Sequence, residues 1–231
     1  MCGRYSLASS GQLEFRTRFG LRESVEIKQR FNVCPGDDVP AVVAGGAGAE
    51  FRELRWGLVP PWADDPATGY KMINARSETV FDKAAYREPI AHTRCIILAD
   101  GFYEWEKRGT GKQPWHITLP GSEPFAFAGL WTSWSARDTS QQLDTCSILT
   151  RPAQPGLTAI HPRQPVILGG PEEEALWIDP ETPLDAVREL SVCAPPAELQ
   201  PRAVGPAVSN TRNDGPECLL DAEPDPQQPL W

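Results

Sequence analysis

The chain is a succession of short apolar or alternating runs punctuated by glycine, proline and aspartate, with few stretches long enough for a helix. Side chains on a strand alternate between two faces, and a strand buried on both faces is apolar throughout. On that basis strands are predicted at FNVC (31–34), VPAVV (39–43), EFRELRWGLVP (50–60), WHITL (115–119), FAFAGLWTSW (125–134), DTCSILT (144–150) and PVIL (165–168). RCIILADGFYEW (94–105) reads as a buried strand turning at Asp100-Gly101 into a second strand, and the first residues read as extended. Helices are predicted where a capping residue precedes a mixed run. Ser10 precedes QLEFRTRF with Gly20 as a stop, Ser77 precedes ETVFDKAAYR closed by Pro89, and Thr182 and Pro183 open TPLDAVREL. A loop from Pro60 to Gly69 carries Trp62. Many short strands with a few helices between them predict an α+β fold, mainly antiparallel strands forming a partly closed barrel with flanking helices. Strand order does not follow from the pattern. The expected organisation is one domain, 1–221, and a disordered Pro-rich tail, 222–231 (AEPDPQQPLW).

The 231 residues, 40% hydrophobic and 23% charged, suffice for a real core. No run approaches the ~20 apolar residues of a membrane span. MCGRYSLASSG lacks the basic start and apolar run of a secretory signal. Together these predict a cytoplasmic protein with no membrane contact. Six cysteines, at 2, 34, 95, 146, 193 and 218, include no CxxC pair, so neither a structural zinc site nor any other cofactor is expected. Cys95 and Cys146 lie in apolar runs and read as buried thiols.

The net charge of −9 argues against general coating of DNA, but it is unevenly spread. From Pro171 onward there are 13 acidic and 3 basic residues, leaving 18 acidic and 19 basic before it. A near-neutral domain can present a basic groove, yet it will not hold long DNA through phosphates alone. Recognition of one special nucleotide fits better.

Cys2 is the candidate with the most distinctive chemistry. If Met1 is removed, which the small second residue permits, the chain begins with a residue bearing both a free α-amine and a thiol. The amine can condense with an aldehyde, and the thiol can then add to the imine carbon to close a five-membered thiazolidine. An α-amine with a pKa of ~7.7–8.0 is partly neutral at cellular pH, whereas a thiol near ~8.5 needs activation. The alternative is an incidental residue on a frayed end. Gly3 and Arg4 follow, a backbone open to close approach and a guanidinium suited to phosphate. In MINARSET, Asn74 and Arg76 fall on one side of an extended segment and could hold a sugar hydroxyl and a phosphate; a turn asparagine and a solvated arginine are equally open. Glu104, between Tyr103 and Trp105, is either a partly desolvated carboxyl fit for acid–base work or a residue pointing to water. His161, in AIHPRQPVIL, is a proton shuttle or a structural histidine. Trp56 reads as core, whereas Trp62 and Trp105 could stack on bases.

In order, MCGRYSL, WGLVPPWA, NARSETV, RCIILADGFYEW and IHPRQPVIL resemble the SRAP family, the SOS-response-associated peptidases now regarded as abasic-site processing proteins, with a weaker echo at VSNTRNDGPE. The resemblance implies a DNA-damage role without cofactor. It implies binding of single-stranded DNA and single-strand/double-strand junctions and a covalent thiazolidine crosslink with the abasic aldehyde through Cys2; a monomer, associated with the nucleoid when bound to DNA, is expected. It also implies that Asn74 orients the sugar, that Glu104 and His161 move protons, and that some members act as AP lyases. Arg4, Arg76 and Arg163 then correspond to phosphate contacts and Trp62 to a residue against the DNA, with Gly3 and Trp105 beside them. This chain departs from the usual pattern at Leu98 (proline), Gln164 (methionine) and Gln154 (asparagine). Two rivals remain. An N-terminal-nucleophile peptidase or amidase would attack an amide through Cys2; a non-catalytic adaptor would use the acidic, Pro-rich end.

Overall fold

The computed structural model of the chain describes residues 2–8, 12–21, 25–46, 48–137, 139–193 and 198–223. β1 (Tyr5–Leu7) is followed by α1 (Gln12–Phe19), β2 (Arg30–Val33), β3 (Asp38–Gly45) and β4 (Gly48–Trp56). A 3-10 helix (Pro66–Lys71) leads into β5 (Asn74–Arg76) and α2 (Ala84–His92). Then come β6 (Arg94–Ala99), β7 (Gly101–Arg108), β8 (Gly111–Thr118), β9 (Phe125–Ser135), β10 (Gln142–Pro152), β11 (Arg163–Pro165) and β12 (Ile167–Leu168). Next are α3 (Pro171–Ile178), α4 (Leu184–Arg188) and β13 (Gln200–Ala203), and two 3-10 helices, Pro206–Ser209 and Pro216–Leu219, follow.

The fold is α+β, as expected, and its barrel is a complete ring. β4, β3, β6 and β9 pair in that order, and β10 pairs with both β4 and β9. Four of the five seams are antiparallel; β4–β10 is parallel. Closure leaves no unpaired edge in the ring. It also accounts for the unbroken apolar run of β6, which is buried at every position. Arg94, at the head of β6, is buried too. Its guanidinium donates to the carbonyls of Ile90, Ala91, Trp177 and Asp179, gathering the C-terminal ends of α2 and α3 onto one cation.

A second, wholly antiparallel sheet runs β13-β8-β7-β1-β2. It packs on the ring through aromatic edges: Tyr5 lies 5.4 Å from Trp56 and 5.7 Å from Phe127, and Phe102 lies 6.4 Å from Phe127. A smaller core of Tyr103, Val204, Val208 and Cys218 joins this sheet to the C-terminal segment.

Asp100-Gly101 does not fold its two strands onto each other. β6 belongs to the ring and β7 to the second sheet, so the chain crosses between sheets at this step. Gly101 is required there: a Cβ would lie 2.1 Å from His116 Nε2. Ser6 Oγ donates to Asp100 Oδ1 at 2.6 Å and meets His116 Nε2 at 2.8 Å. Burial, helped by the charge of Arg202, pushes the imidazole down to about 3, so it is neutral and Nε2–H donates to Ser6. The unfolded chain, with an ordinary histidine near 6.5, binds the proton the folded chain refuses between these two values. Stability therefore falls as pH drops through that window, by up to ~1.4 kcal/mol per unit. Urea midpoints of wild type and His116→Gln from pH 7 to pH 4 should converge as the pH falls; parallel curves would refute the assignment.

Other boundaries shift for local reasons. The helix expected over 78–87 begins only at Ala84 and continues past Pro89 to His92. Ser77 does not cap it; its N–H donates to Thr150 O at 2.9 Å and prolongs the β5 ladder. Pro183 is the N-cap of α4 rather than its first helical residue, and that helix widens into a π-turn over Glu189–Cys193. α3 was not expected, although Pro171 followed by Glu172, Glu173 and Glu174 is a helix-start signal. The predicted cap Ser10 and residues 224–231 of the expected tail lie outside the described residues. Among the described residues no helix is long and apolar enough to cross a membrane.

Candidate functional site

β1 lies between β2 and β7, and that placement assembles the site. Tyr103 N–H donates to Arg4 O at 2.9 Å, which sets the next residue of β7, Glu104, beside the residues that lead into β1. β5 runs parallel to β10, with Asn74 opposite Ile148 and Arg76 opposite Thr150. Asn74 and Arg76 share one side and Ala75 is buried on the other, as alternation predicts. His161 comes from the turn between β10 and β11, tied by its N–H to Leu157 O at 2.9 Å.

Cys2 is fully buried, and Asn74 Nδ2 donates to its carbonyl at 2.7 Å. Burial first, and then the negative charge of Glu104, push the Cys2 thiol far above its ordinary range, so it is protonated at neutral pH. Glu104 is itself raised by burial, opposed by nearby positive charge that includes His161. His161 Nδ1 stands 3.8 Å from Glu104 Oε1 and accepts from the Arg163 N–H at 3.1 Å. Arg163 O lies at the same 3.1 Å from Nδ1, so a ring protonated on Nε2 accepts the Arg163 N–H, whereas an Nδ1–H donates to that carbonyl. Asn74 Oδ1 is buried and has no hydrogen-bond partner among the described residues, an acceptor still to be satisfied. The four central candidates, drawn from distant parts of the sequence, thus share one small volume holding an amide, a carboxyl, an imidazole and a thiol.

The flanking candidates divide. Gly3 is half-buried beside Cys2. Arg76 is exposed, and so is Trp62, at 55%, on a loop secured by Trp134 Nε1 donating to Ala63 O at 2.7 Å. Trp56 is core. Arg4 is engaged within the fold: Nη1 donates to Asn32 Oδ1 and Val208 O, both at 2.8 Å, and the guanidinium lies 5.6 Å from the Trp105 ring. Trp105 Nε1 donates to Ser209 Oγ at 3.1 Å. Arg163 pairs bidentately with Glu78 and also donates to Thr150 O. A phosphate reaching Arg163 has to compete with Glu78.

Three contributions carried little or no sequence signal. Tyr86 donates to Asn74 O at 3.3 Å and holds the backbone of β5. Asn32 donates to the carbonyls of Val208, Asn210 and Asn213, while Asp214 accepts from the N–H groups of Phe31 and Asn32, so the VSNTRND stretch clamps β2 and Arg4. Gln164, buried, accepts from the Gln154 N–H at 2.8 Å through Oε1. Two of the departures from the family pattern therefore meet each other and brace the turn that bears His161.

The family model described as SOS response associated peptidase (SRAP) matches residues 1–211. The chain is 38% identical over 228 residues to abasic site processing protein YoaM of Bacillus subtilis (strain 168), covering 96% of this chain and 99% of that one. It is 32% identical over 266 residues to abasic site processing protein HMCES of Gallus gallus, covering 96% of this chain and 78% of that one. Among solved structures, a protein from Bacteroides thetaiotaomicron superposes with a TM-score of 0.80 at 23% identity, covering 96% of this chain and all of that one. One from Bordetella bronchiseptica gives 0.73 at 27% identity, covering 88% of this chain and all of that one.

Proposed function

This chain belongs to the SOS response associated peptidase (SRAP) family, and from that premise we propose that it processes abasic sites in unpaired DNA, capturing the sugar aldehyde as a thiazolidine on Cys2 once residue 1 has been removed. The observation that carries the reading is the convergence of Cys2 and Glu104, both buried, with the half-buried Asn74 and His161. The relatives named abasic site processing proteins supply the substrate class.

The state of the thiol sets the order of steps. Held protonated, it is a poor first nucleophile, so the α-amine attacks. Proton transfer through His161 opens the sugar: the ring oxygen gains a proton and the anomeric hydroxyl gives one up, leaving the aldehyde. The Cys2 nitrogen bonds to the aldehyde carbon, and Glu104 passes the two protons shed by nitrogen in turn to the former carbonyl oxygen, which leaves as water and frees the carboxylate. Glu104 then receives the thiol proton and passes it to the imine nitrogen as the S–C bond forms. The net change is one C–N and one C–S bond made and one water released. Both nucleophiles sit on one residue, so ring closure is intramolecular. The unsatisfied Asn74 Oδ1 is placed to accept from a sugar hydroxyl. The same imine opens a route to strand scission by β-elimination. A peptidase, as in the family's name, would need the thiol as first attacker, and its burial disfavours that role.

The test is a denaturing gel of the processed protein with an abasic oligonucleotide, beside one bearing a tetrahydrofuran analogue that has no aldehyde. A shifted band is expected with the first alone, with an intact mass equal to protein plus DNA less one water. A band with both substrates, or with neither, overturns the proposal.

A further inference from the structure

We propose that Tyr70 is a stacking seat for a base of the bound strand, distinct from Trp62; this rests on the reading of the protein as a binder of unpaired DNA. Tyr70 is 58% exposed and belongs to the same β4–β5 connection as Trp62. Leaving a large ring in water forgoes the burial that normally repays it.

The ring is nevertheless held. Its edge rests on Gly36, where a Cβ would lie 3.0 Å from Cε1 and 3.2 Å from the hydroxyl; φ at Gly36 is +95°, so both space and backbone call for glycine. Arg55, from β4, places its guanidinium 5.9 Å from the ring centroid and donates from Nη2 to the hydroxyl at 3.3 Å. The connection beneath is closed tightly. A Cβ on Gly69 would stand 2.4 Å from Gly57 O, Leu58 N–H donates to Met72 O at 3.2 Å, and Met72 N–H donates to Gly69 O at 2.8 Å. Asp65 caps the 3-10 helix that bears Tyr70, accepting from Ala67 N–H at 2.8 Å.

A ring steadied by a cation and a bare backbone, on a braced connection and open to solvent, is a pre-organised platform for a flat aromatic partner. In unpaired DNA that partner is a base, and stacking accepts any base because each has a π-face. Arg55 then stands beside the phosphate that joins the stacked nucleotide to its neighbour. Tyr70 is four residues from Asn74, at most ~14 Å along the chain, which puts the seat within a few nucleotides of the captured sugar.

Oligonucleotides carrying one 2-aminopurine at successive positions on either side of an abasic site would be bound to wild type, Tyr70→Phe, Tyr70→Ala and the surface control Leu176→Ala. Quenching at one position is expected in wild type, Tyr70→Phe and the control, with emission restored in Tyr70→Ala. The alanine variant should also bind an undamaged single strand about tenfold more weakly at equal salt. Emission and affinity in Tyr70→Ala that match wild type at every position overturn the proposal. If strands bind with Tyr70-dependent quenching but never crosslink, the aldehyde chemistry fails and the seat stands. If crosslinks form and quenching ignores Tyr70, the seat alone falls.

Discussion

Cys2→Ser, in a chain processed to start at residue 2, should yield no DNA adduct that survives boiling in detergent, while borohydride added during the reaction should restore a band. Serine keeps the α-amine and the shape of the side chain, so the imine still forms and hydride reduction fixes it as a secondary amine. What is lost is the sulfur that closes the ring. Cys2 is fully buried and its Sγ donates to Arg4 O at 3.8 Å, a contact that a hydroxyl can replace. The site should therefore remain assembled, and the loss should be chemical rather than structural. A stable band with Cys2→Ser in the absence of borohydride would remove the thiol from the mechanism. The absence of a band even with borohydride would remove the amine.

Glu104→Gln is the second large effect, and it should move stability and capture in opposite directions. An essential proton carrier is worth about 10²–10⁴ in rate, so crosslinking at saturating DNA should slow by that order. Burial holds the Glu104 carboxyl above its ordinary value of 4.5 in the folded protein. Between the ordinary and the raised value the folded state binds the extra proton, so the stability associated with this group is complete below 4.5 and declines as pH rises through the folded value. At pH 7 an ionised carboxylate in that position is a burden, and the neutral amide relieves it. Melting temperatures should thus rise for Glu104→Gln at pH 7 and match wild type near pH 4. A lower melting temperature at pH 7 would mean that the contacts of the carboxylate outweigh its desolvation.

What could be read from the sequence was what depends on neighbours in the chain. The apolar run of β6, the alternation that puts Asn74 and Arg76 on one side, and the special position of Cys2 need no distant partner to be seen. Closure of the ring is different: β10 meets β4 in parallel with Cys146 opposite Trp56, a pairing that no local pattern encodes. Asp100-Gly101 carries a turn signal, yet whether the strand after it folds back or crosses to another sheet is decided by Ser6 and His116. Ser77 resembles a cap until Thr150 claims its N–H. At the site, the residue types were legible while their pairings were not. Arg4 and Arg163 resemble free phosphate binders until Asn32, Val208 and Glu78 are found on them.

The clamp of residues 208–214 on Arg4 and β2 has a consequence in time. The strand that brings in Cys2 is fastened by residues made some two hundred positions later, so on the ribosome it stays loose until translation is nearly complete. An aminopeptidase works on extended backbone, and in the finished fold Cys2 is buried. On the proposed chemistry, the nascent chain, with residues 208–214 not yet made, is where maturation of the nucleophile meets the least resistance.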